Sequence, residues 1–459
     1  MAGHTFTGFG FGPIQGGLFA KEAFDSGNFS RIAVAEIDAE LVDAVRANKG
    51  TYYVNVARRG EGVPPLSPES VSLSVLSKGR PVPSVVEGMP STHKGIETVK
   101  IEGVDLLNPR IEVDKQVLLE VLAQSTEIVT CLPSVNFYRA GEPASVASLI
   151  AQGLEDSKAG GTIIYAAENN NHAAEILEEF VAERAGRPAP ANVQYLNTVI
   201  GKMSRVVRDP AEIAKLKLEP IAPGLDRAFL VEQFNRILVS RATISGFKPG
   251  IEVFIEKDDL LPFEEAKLYG HNAIHSLLGF LGALKGYTAM TEIKDDKNLM
   301  QIGRDAFLQE CGAALIKKHG HLGDVLFTEA GFKAYAEDLL ERMTNPHLGD
   351  TIARVVRDVP RKLEPDGRIF GTMKLALEFG IEPENMALGA IAGIAELLKN
   401  AESNNLPEDL RFGDWRKLDN DKIGRILRWL WKDQIFRLTT KLVTHIMGAR
   451  ERLEILTNV

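Results

Sequence analysis

A doubly wound α/β domain followed by a mainly α-helical domain is the fold class this sequence predicts, and three observations predict it. Over the first ~200 residues, short apolar runs alternate with amphipathic stretches of helical period, the pattern of a sheet with helices on its faces. A glycine-rich turn follows the first apolar run, where such sheets bend from strand into helix. From Phe263 onward helical periodicity runs to the C-terminus with few β-branched runs. The change of character near Asp259 to Pro262 divides the chain into expected domains of 1–260 and 261–459.

Strands are expected at Thr5 to Phe9, Arg31 to Ala35, Glu127 to Cys131 and Thr162 to Ala167, all runs with apolar or β-branched character. Between them, amphipathic spacing predicts helices at Leu18 to Asp25, Ala39 to Ala47, Val117 to Ala123 and Ser145 to Asp156. Asp209 to Leu261 is less regular, with the turn signals Ala-Pro-Gly at 222–224 and Lys-Pro-Gly at 248–250.

Composition narrows the function classes. With 459 residues, 44% of them hydrophobic, the chain can bury two cores. Its net charge of −9 argues against nucleic acid or an anionic membrane as a partner. The two cysteines, Cys131 and Cys311, suit a reduced compartment and supply no disulfide framework. The N-terminus shows no signal-peptide pattern, and no apolar run approaches the ~20 residues of a membrane span, so a cytoplasmic location is expected.

The glycine turn reads Gly8-Phe-Gly10-Phe-Gly12-Pro13-Ile14-Gln15-Gly16-Gly17. Glycines here let the backbone approach a pyrophosphate seated on a helix N-terminus, and Pro13 suits the first helical position. Gln15 stands where the G-x-G-x-x-G fingerprint has its third glycine. The next strand ends in Ala35-Glu36-Ile37-Asp38, which offers Glu36, with Asp38 as the alternative register, to an adenosine ribose. Either carboxylate would repel a 2′-phosphate, so the expected cofactor is NAD on a Rossmann-type domain.

The segment Lys267-Leu-Tyr-Gly-His271-Asn272-Ala-Ile-His275 gathers a base, an amide and imidazoles. At roughly 100° per residue they share one side of a helix. Such a set can deprotonate an alcohol and hold its developing oxyanion; the competing reading is a solvated face with a structural histidine. His271 and His275 also have the spacing of helical zinc ligands. The glutamate of H-E-x-x-H is absent and no third ligand is evident, so no metal is expected.

Taken together, these pieces resemble the long-chain polyol dehydrogenases, more closely their mannitol-1-phosphate 5-dehydrogenase branch, through most of the first ~400 residues. The glycine turn, Ala35-Glu-Ile-Asp and Thr51-Tyr-Tyr-Val-Asn-Val look like the family's nucleotide domain. Lys267-x4-Asn272-x2-His275 matches its catalytic motif. Asn197-Thr-Val-Ile-Gly201-Lys202-Met resembles its asparagine segment, with Gly201-Lys202 in place of the usual Asp-Arg. The stretch from Asn345 to Arg368, with Arg361-Lys362-Leu and then Arg368, resembles the sugar-phosphate branch, and Gly380-Ile-Glu-Pro-Glu-Asn385 is also family-like. The resemblance implies reversible hydride transfer between NAD and a hexitol phosphate, mannitol 1-phosphate giving fructose 6-phosphate. It implies Lys267 as base, Asn197 and Asn272 as oxyanion donors and His275 as substrate-orienting residue. Thr130 and Leu132 would line the nicotinamide side, and Arg361, Lys362 and Arg368 would read the phosphate. A dehydrogenase of a free polyol or uronate, and a non-catalytic NAD-binding protein, remain alternatives, as does the choice between monomer and homodimer. The last ~60 residues, which hold Trp415, Trp429 and Trp431, fall outside the resemblance and read as extra packing or an oligomer interface.

Overall fold

The computed structural model describes residues 3–58, 95–155, 157–234, 236–434 and 437–457. The chain forms two compact units: Leu261 closes the first and Pro262 opens the second.

Among the described residues the strands lie in the first unit: β1 (His4–Phe9), β2 (Phe29–Ala35), β3 (Tyr52–Ala57), β4 (Ile96–Ile101), β5 (Val104–Leu107), β6 (Glu127–Thr130), β7 (Thr162–Ala166), β8 (Val193–Ile200), β9 (Ser204–Val207), β10 (Ala228–Glu232), β11 (Ile237–Ser240) and β12 (Phe254–Lys257). The main sheet runs β12-β11-β8-β7-β6-β1-β2-β5. Its six strands from β5 to β8 are mutually parallel. Numbered by their own succession, they stand in the order 3-2-1-4-5-6, so the switch point lies between β1 and β6. Continuous apolar runs such as Ile128-Val129 and Ile163-Ile164-Tyr165 are fully buried, as a sheet covered on both faces demands.

The elements read from sequence are present, with shifted ends. The helix expected from Val117 begins at Glu112, because its first turn carries Asp114, whose carboxylate accepts from the Asn108 amide at 2.8 Å and meets Arg46 at 2.7 Å. The irregular 209–261 stretch contains a helix, Pro210–Leu216, and β10 to β12. There β10 joins a separate sheet, β4-β3-β10-β9, pairing in parallel with β3.

The second unit is helical among the described residues, around Ala273–Leu284 and Glu384–Lys399, most of whose residues are buried. The C-terminal segment belongs to this packing. Trp431 is 2% exposed, donates its indole N–H to the Leu363 carbonyl at 3.0 Å and meets the Phe370 ring edge-on. No helix among the described residues is long and apolar enough to cross a membrane.

Candidate active site

The polypeptide leaves β1 through Gly10, whose φ of +80° is open to glycine at little cost. A Cβ at Gly10 would stand 2.8 Å from the Cys131 carbonyl, whereas one at Gly12 would meet nothing within 4 Å. Helical geometry begins at Pro13. It passes through a π turn, Gln15–Phe19, closed by the Ala20 amide on the Gln15 carbonyl. Gln15 is fully buried, and its amide lies across Gly8, where a Cβ would clash with it at 2.0 Å. The close helix–strand approach that a helix glycine normally gives is therefore provided by a glycine on the strand.

A cavity of about 620 Å³ opens here, beyond the carboxyl ends of β1 and β6. Gly10, Gly12, Pro13, Ile14, Gln15, Glu36, Asp38 and Leu132 all line it, and Thr130 lies buried behind its wall. The first amides of a helix on one side, open space at Gly12 and largely apolar walls fit a dinucleotide. Glu36 accepts from the amides of Phe11 (2.6 Å), Ile37 (2.7 Å) and Asp38 (2.9 Å), so it also fixes the glycine turn. Asp38 caps the following helix at Leu41 and pairs with Arg227 at 2.7 Å, and that pairing holds its carboxyl below the ordinary range. Sequence reading missed Arg110, Arg208 and Arg227 on this wall.

In the second unit, Lys267 to Asn272 lie in a π-helical turn, Ala266–Asn272, in place of the α-helix assumed from sequence. The Ala273 amide reaches back five residues to the Leu268 carbonyl. One residue is thus inserted into the helical ladder, so the angular spacing computed for an α-helix does not apply; such bulges recur at functional sites.

Lys267 is half-buried, and desolvation, with the Arg368 charge adding to it and Glu264 opposing, lowers its pKa from 10.5 to about 8. His271 is buried and held well below its usual pKa by desolvation and by the surrounding cations, Arg342 foremost. His275 Nε2 stands 3.1 Å from Asp350 Oδ2, outside hydrogen-bond alignment. Asp350 is in turn gripped by Arg354 through two contacts of 2.7 Å. Burial pushes the Asp350 carboxyl up, but His275 and Arg354 outweigh it and hold it well below the ordinary range. The half-buried side-chain amide of Asn272 makes no hydrogen bond among the described residues.

Close by, Arg368 donates to the Ser276 hydroxyl at 3.2 Å, and burial and then Arg361 lower its pKa to about 10. Lys362 is 5% exposed, and burial followed by Arg368 lowers it to about 7. Its ammonium has no ion-pair or hydrogen-bond partner among the described residues. Asp358 opposes that lowering but is itself paired with Arg361, so an anion brought to Lys362 would gain from a poorly neutralised buried cation. Arg361 is exposed and pairs with Asp358 at 2.7 Å. Arg368 acts electrostatically on both Lys267 and Lys362, so these three lie together.

Asn197 belongs to the first unit, on β8. Its carbonyl accepts from the Ala174 amide at 2.9 Å, and its NH2 donates to Glu175 at 2.7 Å, so it holds the start of the helix Ala173–Ala185. Among the described residues, no group of three or more His, Cys, Asp or Glu is placed to hold a metal ion.

Residues 259–448 match the mannitol dehydrogenase C-terminal domain. The chain is 28% identical over 411 residues to mannitol-1-phosphate 5-dehydrogenase of Brevibacillus brevis, spanning 89% of this chain and 90% of the relative. The chain is thus similar to the mannitol dehydrogenases, in its C-terminal domain and along most of its length. The enzyme of the same name from Pseudarthrobacter chlorophenolicus is 30% identical over 263 residues, 56% of this chain and 62% of that protein. Among solved structures, the mannitol dehydrogenase architecture recurs in mannitol 2-dehydrogenase of Pseudomonas fluorescens, a ternary complex with NAD and D-mannitol. That match has a TM-score of 0.67 at 16% identity, covering 100% of this chain and 94% of the other. A substrate-free D-sorbitol dehydrogenase matches with a TM-score of 0.70 at 15% identity, covering 99% and 94%. The family domain reaches Gly448, so it includes most of the C-terminal segment that the sequence resemblance left out.

Proposed function

We propose that this protein interconverts a hexitol phosphate and a ketose phosphate, with mannitol 1-phosphate and fructose 6-phosphate as the pair. It is an NAD-dependent polyol dehydrogenase. The observation that supports the finer reading is the grouping of Lys267, its pKa lowered to about 8, with the two cations Lys362 and Arg368. The names of the two bacterial relatives support the same substrate.

NAD, when bound, supplies the hydride acceptor for the alcohol carbon. Lys267 takes the hydroxyl proton on Nζ; its lowered pKa leaves an appreciable neutral fraction near pH 7. The free amide of Asn272 donates to the oxygen as charge develops, a contact that typically contributes ~3 kcal/mol in the transition state. His275, steadied by Asp350, hydrogen-bonds the substrate and orients it. Asn197, a donor on the family pattern, would first have to release Glu175 or use its second N–H. Lys362 and Arg368 bind the phosphate dianion, and Arg361, exposed and already paired, contributes from the rim. No step requires a metal ion.

The test is NAD reduction with D-mannitol 1-phosphate in the presence of a strong chelator. Turnover by the wild type that is lost in Lys267→Met supports the reading. Loss of turnover on chelation alone, or retention of turnover in the variant, overturns the metal-free lysine mechanism.

A further inference from the structure

We propose that Glu168 is a positioning residue for the cofactor, fixing the cavity wall formed by the segment that follows β6. The inference rests on reading that cavity as the dinucleotide site.

Glu168 stands two residues beyond the end of β7 and is 4% exposed. Its Oε1 accepts from the Leu132 amide at 2.8 Å, and its Oε2 accepts from the Thr130 hydroxyl at 2.8 Å and from the Tyr138 phenol. These donors come from three successive parts of one segment: the last residue of β6, the turn after it, and the 3-10 turn Val135–Arg139. The same segment contributes Leu132, Pro133 and Phe137 to the cavity. Among the described residues no cation pairs with Glu168; burial raises its carboxyl above the ordinary range, and the hydrogen bonds from Tyr138, Leu132 and Thr130 oppose that rise.

The arrangement is one-directional. Tyr138 is pushed far above its ordinary pKa by burial and by the charge of Glu168, so its phenol stays protonated and donates. A turn at a strand end normally satisfies its amides locally. Here the Leu132 amide instead crosses to a side chain 36 residues later in the sequence. The carboxylate therefore ties the carboxyl end of β7 to the wall at the β1/β6 switch point, where this architecture seats its ligand. Removing it leaves three donors free and lets the wall relax away from the nicotinamide side.

The test compares the full-length wild type with Glu168→Gln, Tyr138→Phe and the double variant. NADH dissociation constants are measured by fluorescence, and KM is measured separately for NADH and for the sugar substrate. The expected result is a tenfold or greater rise in the dissociation constant and KM of NADH in Glu168→Gln, with the sugar KM within twofold. Tyr138→Phe should show a smaller rise, and the double variant should be no worse than Glu168→Gln, because Tyr138 acts through the carboxylate. A residue that merely supports folding would lower thermal stability and leave this split and this non-additivity absent. Unchanged NADH affinity in folded Glu168→Gln overturns the proposal; if that variant does not fold, unchanged affinity in Tyr138→Phe does so. A wild type that binds neither NADH nor NAD overturns the nucleotide reading itself, and this inference with it.

Discussion

The pH profile of alcohol oxidation should report the state of Lys267. A lysine at its ordinary pKa of 10.5 is about 0.03% neutral at pH 7, while one at about 8 is about 10% neutral, a gain of roughly 300-fold. With D-mannitol 1-phosphate and saturating NAD, kcat followed by NADH absorbance should therefore rise about tenfold between pH 7 and pH 9 and level off beyond. The structure also fixes the sign of two perturbations. Arg368 lowers the lysine pKa, so Arg368→Met should move the limb to higher pH. Glu264 raises it, so Glu264→Gln should move the limb to lower pH. Lys267→Met should lose ~10³-fold in kcat while NADH binding persists. A limb near 10.5 in the wild type, or shifts of the opposite sign, would refute the assignment of Lys267 as the base.

Three further outcomes follow from the geometry. Both amide atoms of buried Gln15 lack partners, each a cost of ~1–3 kcal/mol, so Gln15→Met should raise the thermal midpoint; a lower midpoint would mean the amide is satisfied in solution. Burial raises the Glu127 carboxyl from 4.5 to about 7. The folded state then binds more protons than the unfolded between those values, and stability falls as pH rises through that window, by up to ~3 kcal/mol. Glu127→Gln should flatten the dependence of the thermal midpoint on pH from 5 to 8, and an unflattened profile would contradict the assignment. Finally, Lys362→Met should raise KM for the phosphorylated substrate far more than it lowers kcat, and more than Arg361→Ala does, because Lys362 is buried with no direct ion pair while Arg361 is exposed and paired. Equal or reversed KM effects would move the phosphate toward the rim.

Much of this was legible in the sequence because it is local. The apolar runs of β1, β2, β6 and β7 and the glycine turn fix the nucleotide half, and Lys267, Asn272 and His275 carry their spacing openly. What was hidden depends on distant partners. β3 pairs with β10 across about 175 residues, and no short window shows that a strand at Ala228–Glu232 has a place waiting in a second sheet. The π turns at Gln15–Phe19 and Ala266–Asn272 escape a reading that assumes one period throughout a helix. Glu168, an acidic residue after a strand, looks like a solvated turn until Thr130, Leu132 and Tyr138 are seen to converge on it. Trp431 reads as extra packing or an oligomer interface, and only its partners Leu363 and Phe370 decide for packing.

The central claim, a dehydrogenase that reads a sugar phosphate through Lys362 and Arg368, is tested most directly by NADH consumption with D-fructose 6-phosphate and with D-fructose under the same conditions. The account predicts a kcat/KM for the phosphate at least 10³-fold above that for the free sugar, the discrimination expected when a free sugar leaves Lys362 and Arg368 without the dianion they would bind. Equal rates, or activity with D-fructose alone, would contradict it and leave those cations structural.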